Sequence, residues 1–259
     1  MAPRNLKIVL AYDGTPYSGW QIQPDRSTVQ GILASAILRI TAESVLPQGS
    51  GRTDAGVHAL AQVASFVTSS TIPSTNFAKA LNDILPVSIR VLSVEEAELD
   101  FHARHSAKFK TYRYRIFRGE ICPPFLANYI YHHPYPLDEE AMLAAAGAVV
   151  GEHDFTSFAA VNPATNRSES AFTGMEPGNV RTILSSAWER REELNELVYT
   201  VRGNGFLHHM VRNLVGTFLL LGKGTLKGED VSRILGAKSR SAAGATAPAN
   251  GLYLVNVEY

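Results

Sequence analysis

The sequence predicts an α+β fold made of two split βαβ (ferredoxin-like) halves. Strand and helix patterns alternate along all 259 residues, and the order β-α-β-β-α-β can be read twice, with a junction near Ala103 to Ser106. Leu6, Ile8 and Leu10 alternate with Lys7, Val9 and Ala11, which is strand period, over Leu6 to Tyr12. Val29, Ile32, Leu33, Ala36, Ile37 and Ile40 recur at helical spacing, with Ser27 or Thr28 as the cap. A glycine-bearing loop follows, and the strand before it is weakly marked, which makes the first half the less regular one. Gln62 to Val67 is the next strand, Phe77 to Leu85 a short helix ended by Pro86, and Ser88 to Val94 another strand.

The second half repeats this order. From about Lys108 to Phe117, Tyr112, Tyr114 and Ile116 alternate with Thr111, Arg113 and Arg115 as in a strand. An alanine-rich helix is expected from about Asp138 to Val150. Arg181 to Arg190 and Leu197 to Val201 form a hairpin about Glu192 to Asn195. A longer helix covers about Phe206 to Leu221, and Leu252 to Glu258 is the last strand. Ser157 to Asn179 is polar and rich in Ser, Asn, Pro and Gly, the composition of a long mobile loop.

Bulk properties narrow the class. Hydrophobic residues make up 45% and charged residues 19%, as in ordinary globular domains. No apolar run approaches the roughly 20 residues of a bilayer span, and the N-terminus enters a strand pattern without a signal-type apolar region. A single cysteine, Cys122, excludes an internal disulfide framework and fits a reducing compartment, so a cytoplasmic location is expected and the sequon at Asn166 is read as chance. Net charge is zero, yet Phe101 to Gly119 holds six Lys or Arg and no acid. Aromatic residues lie between the cations. Such a stripe suits phosphates and stacked bases, and equally a charged strand edge; composition leaves both readings open.

The densest chemistry lies in Gly51-Arg52-Thr53-Asp54-Ala55-Gly56-Val57-His58-Ala59. One carboxylate follows two residues after a guanidinium, among glycines that let the chain turn sharply and approach a ligand. Four of these residues would make an ordinary turn; nine with Arg, Asp and His at set spacings ask for more. His208-His209 has no ligand set at metal spacing, so no metal is expected. The glycine pairs at Gly203, Gly205, Gly222 and Gly224 lack a nucleotide-binding spacing.

This nine-residue run resembles the signature of the tRNA pseudouridine synthase A family. Other segments resemble that family in the same order: Tyr12-Asp13-Gly14-Thr15-Pro16-Tyr17-Ser18-Gly19-Trp20-Gln21, Thr28-Val29-Gln30-Gly31, Phe101-His102-Ala103-Arg104, Lys110 to Arg115, Phe206 to Asn213, and Gly251-Leu252-Tyr253-Leu254. The resemblance implies two similar α+β domains, residues 1–104 with the catalytic loop and residues 105–259. It implies that they share a continuous antiparallel sheet around a central, basic RNA-binding cleft. It further implies isomerisation of uridine to pseudouridine on the 3′ side of the tRNA anticodon stem-loop, with no cofactor, by a homodimer.

By the same resemblance Asp54 is the nucleophile and Tyr112 stacks on the target base. Arg212 pairs with and orients the nucleophile, Arg52 binds RNA phosphate, and Leu252 walls the pocket. Taken alone, Tyr112 and Leu252 read as core residues and Arg212 as a helix surface residue. Two other classes compete: an RNA-binding module without turnover, and a hydrolase using Asp54 on another glycosidic bond, which would want a paired carboxylic acid.

Overall fold

A computed structural model describes residues 2–160 and 178–259. Most of the loop expected from Ser157 to Asn179, and the sequon within it, lie outside the described residues. Along the chain the elements are β1 (Arg4–Tyr12), α1 (Val29–Thr41), β2 (Gln48–Gly49), β3 (His58–Thr68), α2 (Ser74–Ile84) and β4 (Ile89–Ala97). β5 (Phe109–Phe117), β6 (Tyr131–His132), α3 (Glu139–Ala145), β7 (Gly151–Asp154) and β8 (Val180–Arg191) come next. β9 (Glu196–Gly203), α4 (Met210–Gly222), α5 (Asp230–Ala237) and β10 (Leu252–Glu258) complete the chain. They form two compact units, one running to Lys108 and taking in Tyr253–Tyr259, the other comprising Phe109–Leu252.

In the first unit the strand order is β4–β1–β3–β10, with β2 also on β3. β1 is antiparallel to both neighbours, while β10 runs parallel to β3, Tyr253 opposite His58 and Leu254 opposite Ala59. The alternation in β1 does what its period requires: Leu6, Ile8 and Leu10 are fully buried. Leu33 and Ile37 of α1 and Phe77 and Leu81 of α2 are buried with them. Each such side chain stabilises the fold by about 1.5–3 kcal/mol. Thr28 caps α1, its hydroxyl accepting from Gly31 N–H at 3.3 Å, and Ala42 ends the helix in the left-handed region at φ 60°.

In the second unit β5, β9, β8 and β7 are neighbours in that order, all antiparallel, and β6 lies parallel to β5. The β8–β9 hairpin turns through Glu192–Leu194 and Asn195, a left-handed residue at φ 51°. Trp188, Tyr199 and Phe218 make an aromatic core, with ring centroids 5.0 to 6.0 Å apart.

The expected α+β class holds, with mostly antiparallel pairing in each unit. Several boundaries differ. β3 starts at His58, inside the nine-residue run, four residues before the expected Gln62. The alanine-rich helix ends at Ala145 and continues as a tighter turn over Ala146–Val149. α4 begins at Met210, so His208 and His209 precede the helix where the sequence pattern had put them on it. β6, β7 and α5 were not expected. None of the described helices is long and apolar enough to cross a membrane.

Candidate active site

The loop between β2 and β3 is held from beneath by buried polar side chains. Gln62, on β3 and 0% exposed, accepts from Ser50 Oγ at 2.7 Å through Oε1 and donates to Gly51 O at 3.0 Å through Nε2. Its Nε2 also reaches the Tyr12 hydroxyl at 3.4 Å, and that hydroxyl lies 2.8 Å from Thr53 Oγ1. Burial pushes Tyr12 up to about 12, with the bonds from Thr53 and Gln62 acting against it, so its hydroxyl stays protonated at any working pH. Ser50 N–H donates to Val63 O at 2.7 Å. The stretch Ser50 to Thr53 is thus fastened to β1 and β3.

Backbone contacts carry the hold forward to Asp54. Thr53 O accepts from Trp20 N–H at 3.0 Å, and Asp54 O accepts from Val57 N–H at 3.1 Å. Gly19, at φ +88°, passes so close that a Cβ there would lie 2.5 Å from Thr53 O, so only glycine fits. Arg52, exposed, donates from Nε to Gln21 Oε1 at 3.2 Å. His58 is buried, receives Gly14 N–H on Nδ1 at 3.0 Å, lies 3.3 Å from Asp13 Oδ1, and stacks on Tyr253 at 4.8 Å. Three separated motifs, around Tyr12, Trp20 and Tyr253, therefore converge on one loop. They leave Asp54 half-buried at its bend. A fixed carboxylate with limited exposure is the arrangement a nucleophile needs.

The other predicted residues lie in the second unit, each on its own element. Tyr112 is buried on β5, edge-on to the Phe206 ring at 4.9 Å. Arg212, half-buried in the first turn of α4, donates from Nε to Ala247 O at 2.7 Å. Leu252, buried, begins β10. His208 and His209 form a turn before α4 with rings 3.9 Å apart, and His209 is left-handed at φ 61°. The basic stripe does not act as one surface. Arg115 Nε donates to Glu196 Oε2 at 3.0 Å, with Glu196 buried, and Arg118 Nε donates to Glu139 Oε1 at 2.9 Å. Both are committed to internal ion pairs. Lys110 is buried, whereas Lys108 is exposed and Arg104 half-buried.

Tyr12 and Thr53 lie within the marked motifs but were given no role there, and Ser50 and Gln62 lay outside every marked motif. The available signal was a glutamine inside an otherwise apolar strand run, a residue that must find partners once buried.

A half-buried carboxylate on a loop fastened to two strands makes a candidate enzyme site. A family model described as tRNA pseudouridine synthase matches residues 8–106 and 145–259. A tRNA pseudouridine synthase A from Solibacter usitatus is 50% identical over 256 residues, covering 99% of this chain and 100% of that protein. Proteins of the same name from Limosilactobacillus reuteri and Caldicellulosiruptor saccharolyticus are 47% and 43% identical. They cover 98% and 99% of this chain and 96% and 100% of their own lengths. The chain belongs to the tRNA pseudouridine synthase family, isomerases that convert uridine to pseudouridine in tRNA.

Proposed function

We propose that this chain makes pseudouridine on the 3′ side of the tRNA anticodon stem-loop, with Asp54 as nucleophile and without metal or cofactor. The reaction breaks the N1–C1′ bond, turns the uracil, forms a C5–C1′ bond and releases the C5 proton while N1 gains one. Atoms and electrons balance within the substrate, so no donor or oxidant is required. The Asp54 carboxylate serves as a covalent anchor, through C1′ of the sugar or C6 of the base. The uridine must leave its stack to reach it.

The observation that carries this reading is the nine-residue loop, with Thr53 and Gly51 tied to buried side chains and Asp54 half-buried beside them. Tyr112 supplies a stacking face, Arg212 orients the carboxylate, Arg52 takes a phosphate and Leu252 excludes water. The order β4–β1–β3 with β2 on β3 supports a split βαβ first domain. Two such domains, residues 1–104 and 105–259, would hold the RNA in a basic cleft of a cytoplasmic homodimer. The test is to map pseudouridine on total tRNA incubated with wild-type protein and with Asp54→Asn. Wild type should modify anticodon stem-loop uridines; Asp54→Asn should modify none while its tRNA affinity stays within about threefold, because phosphates supply most of the binding. Turnover by Asp54→Asn removes the nucleophile, release of free uracil points to a hydrolase, and binding without turnover by wild type points to an RNA-binding module.

A further inference from the structure

Arg240 belongs to no segment that the sequence pattern marked, yet it closes a half-buried polar knot around Asn213, the neighbour of Arg212 on α4. Its Nη2 donates to Asn213 Oδ1 at 3.0 Å and to Thr246 Oγ1 at 3.2 Å, and its Nη1 donates to Ala243 O at 3.3 Å. Thr246 in turn donates its hydroxyl proton to Asn213 Oδ1 at 2.7 Å. Asn213, 0% exposed, uses its Nδ2 on Phe158 O at 2.7 Å. One guanidinium thus crosslinks α4 to the segment between Ala243 and Thr246, and every polar atom of the Asn213 amide has a partner.

That segment has no regular structure over Gly244 to Pro248, so its path depends on such ties. It comes very close to α4. Gly244 N–H donates to Thr217 Oγ1 at 2.9 Å, and a Cβ on Gly216 would lie 1.7 Å from Ala245 O, so no other residue fits at 216. At its end sits Ala247, bonded twice to the same helical residue. Its N–H donates to Arg212 O at 3.1 Å, and its carbonyl accepts Arg212 Nε–H at 2.7 Å. The Nε bond fixes the plane of the Arg212 guanidinium, and with it the direction of both Nη groups. A carbonyl on an otherwise unstructured segment can do this only if the segment itself is fixed.

We infer that Arg240, acting with Asn213 and Thr246, is a positioning residue that holds the Ala243–Ala247 segment so that Ala247 aims the Arg212 guanidinium. The inference rests on the reading above in which Arg212 orients the nucleophile. Arg240 touches no reacting atom; it acts through Thr246, Ala247 and Arg212 in turn. Loss of the knot should leave the RNA contacts in place and misdirect one guanidinium, and misplacement on the order of 1 Å can cost up to about a hundredfold in rate.

The experiment uses the full-length protein with Arg240→Met, Thr246→Val, Arg212→Lys and the Arg240→Met/Arg212→Lys double variant. Pseudouridine formation gives kcat and KM on tRNA, filter binding gives Kd, and a melt reports the folded fraction. For Arg240→Met the expected result is a kcat ten- to a hundredfold lower, with Kd and KM within about threefold of wild type. Thr246→Val should show the same split, and it keeps the test alive if Arg240→Met folds poorly. Added to Arg212→Lys, the Arg240 change should cost little more, because both act on one element. Wild-type kcat in Arg240→Met and Thr246→Val, with Arg212→Lys impaired, overturns the inference and leaves the role of Arg212 standing. A fully additive double variant, or a rate loss matched by the loss of folded protein, reduces the knot to a structural brace and also overturns it. Wild-type kcat in Arg212→Lys removes the reading beneath it.

Discussion

Tyr12→Phe deletes one oxygen atom from beneath the Asp54 loop and little else. The ring is 4% exposed, so water cannot take the place of the hydroxyl. Two contacts go: the 2.8 Å bond with Thr53 Oγ1 and the long 3.4 Å contact from Gln62 Nε2. Gln62 keeps its bonds to Ser50 and Gly51, so only the Thr53 bond counts in full. A buried hydrogen bond contributes about 0.5–1.5 kcal/mol net, and stranding a buried partner costs about 1–3 kcal/mol. A loss of about 2 kcal/mol follows, which is roughly a thirtyfold change in the folded-to-unfolded ratio. Urea unfolding at pH 7 should read this as a lower midpoint with unchanged slope. Thr53 O stays bonded to Trp20 N–H, so Asp54 is loosened and not released. The kcat for pseudouridine formation should fall about three- to tenfold with tRNA Kd unchanged. A destabilisation below about 0.5 kcal/mol would refute the energetic argument. The expected destabilisation with wild-type kcat would refute the claim that this hydroxyl positions the loop. Because the folded Tyr12 value lies above the ordinary one, its bond is at full strength at neutral pH and fails only as pH rises through about 12.

Tyr112→Phe keeps the stacking face, worth about 1–3 kcal/mol per base, and should bind tRNA normally; Tyr112→Leu should be folded, RNA-binding and inactive. An active Leu variant takes Tyr112 out of the site, and an inactive Phe variant assigns its hydroxyl to the C5 proton. His133 is pulled down to about 4 by burial, with Lys223, Arg118 and His132 adding to the effect, so it is neutral in the fold and charges on unfolding below its ordinary value. Stability should fall as pH drops from about 6.5 to about 4, and His133→Gln should flatten urea midpoints across that window; an unchanged profile would remove His133 as the cause. Arg104→Glu with Lys108→Glu should reduce the salt slope of tRNA affinity by about two, whereas Arg115→Met should lower the melting temperature and spare the slope. An unaltered slope in the first variant puts the stripe off the RNA.

The sequence carried the elements whose period is set by one buried face. β1 and α1 were legible because Leu6, Ile8, Leu10, Leu33 and Ile37 repeat at strand and helix spacing. β2, β6 and β7, at two to four residues, are too short to show a period. The start of α4 was misplaced because Phe206 and Leu207 continue its apolar pattern, while the chain turns through a left-handed His209 that no pattern reveals. Asp54 stood out because a turn alone does not call for Arg52, Asp54 and His58 together at set spacings over nine residues. Gln62 and Arg240 did not, since what makes them informative is burial against polar atoms distant in sequence.

That difference bears on what the buried polar groups do. A well-packed apolar side chain at 62 could be as stabilising as the glutamine, because desolvating an amide offsets much of its hydrogen-bond gain. What an apolar residue cannot do is fix Gly51 O and Ser50 Oγ at 3.0 and 2.7 Å, three and four residues before Asp54 on the loop. The same holds for Asn213 and Arg240 beside Arg212. Each unit thus carries one satisfied polar knot next to one proposed functional side chain, and in each the knot joins a regular element to an irregular segment. A fully satisfied network confers direction as well as energy. Loops that must hold a carboxylate or a guanidinium at a set angle need that direction, and the apolar core of either unit has no means to supply it.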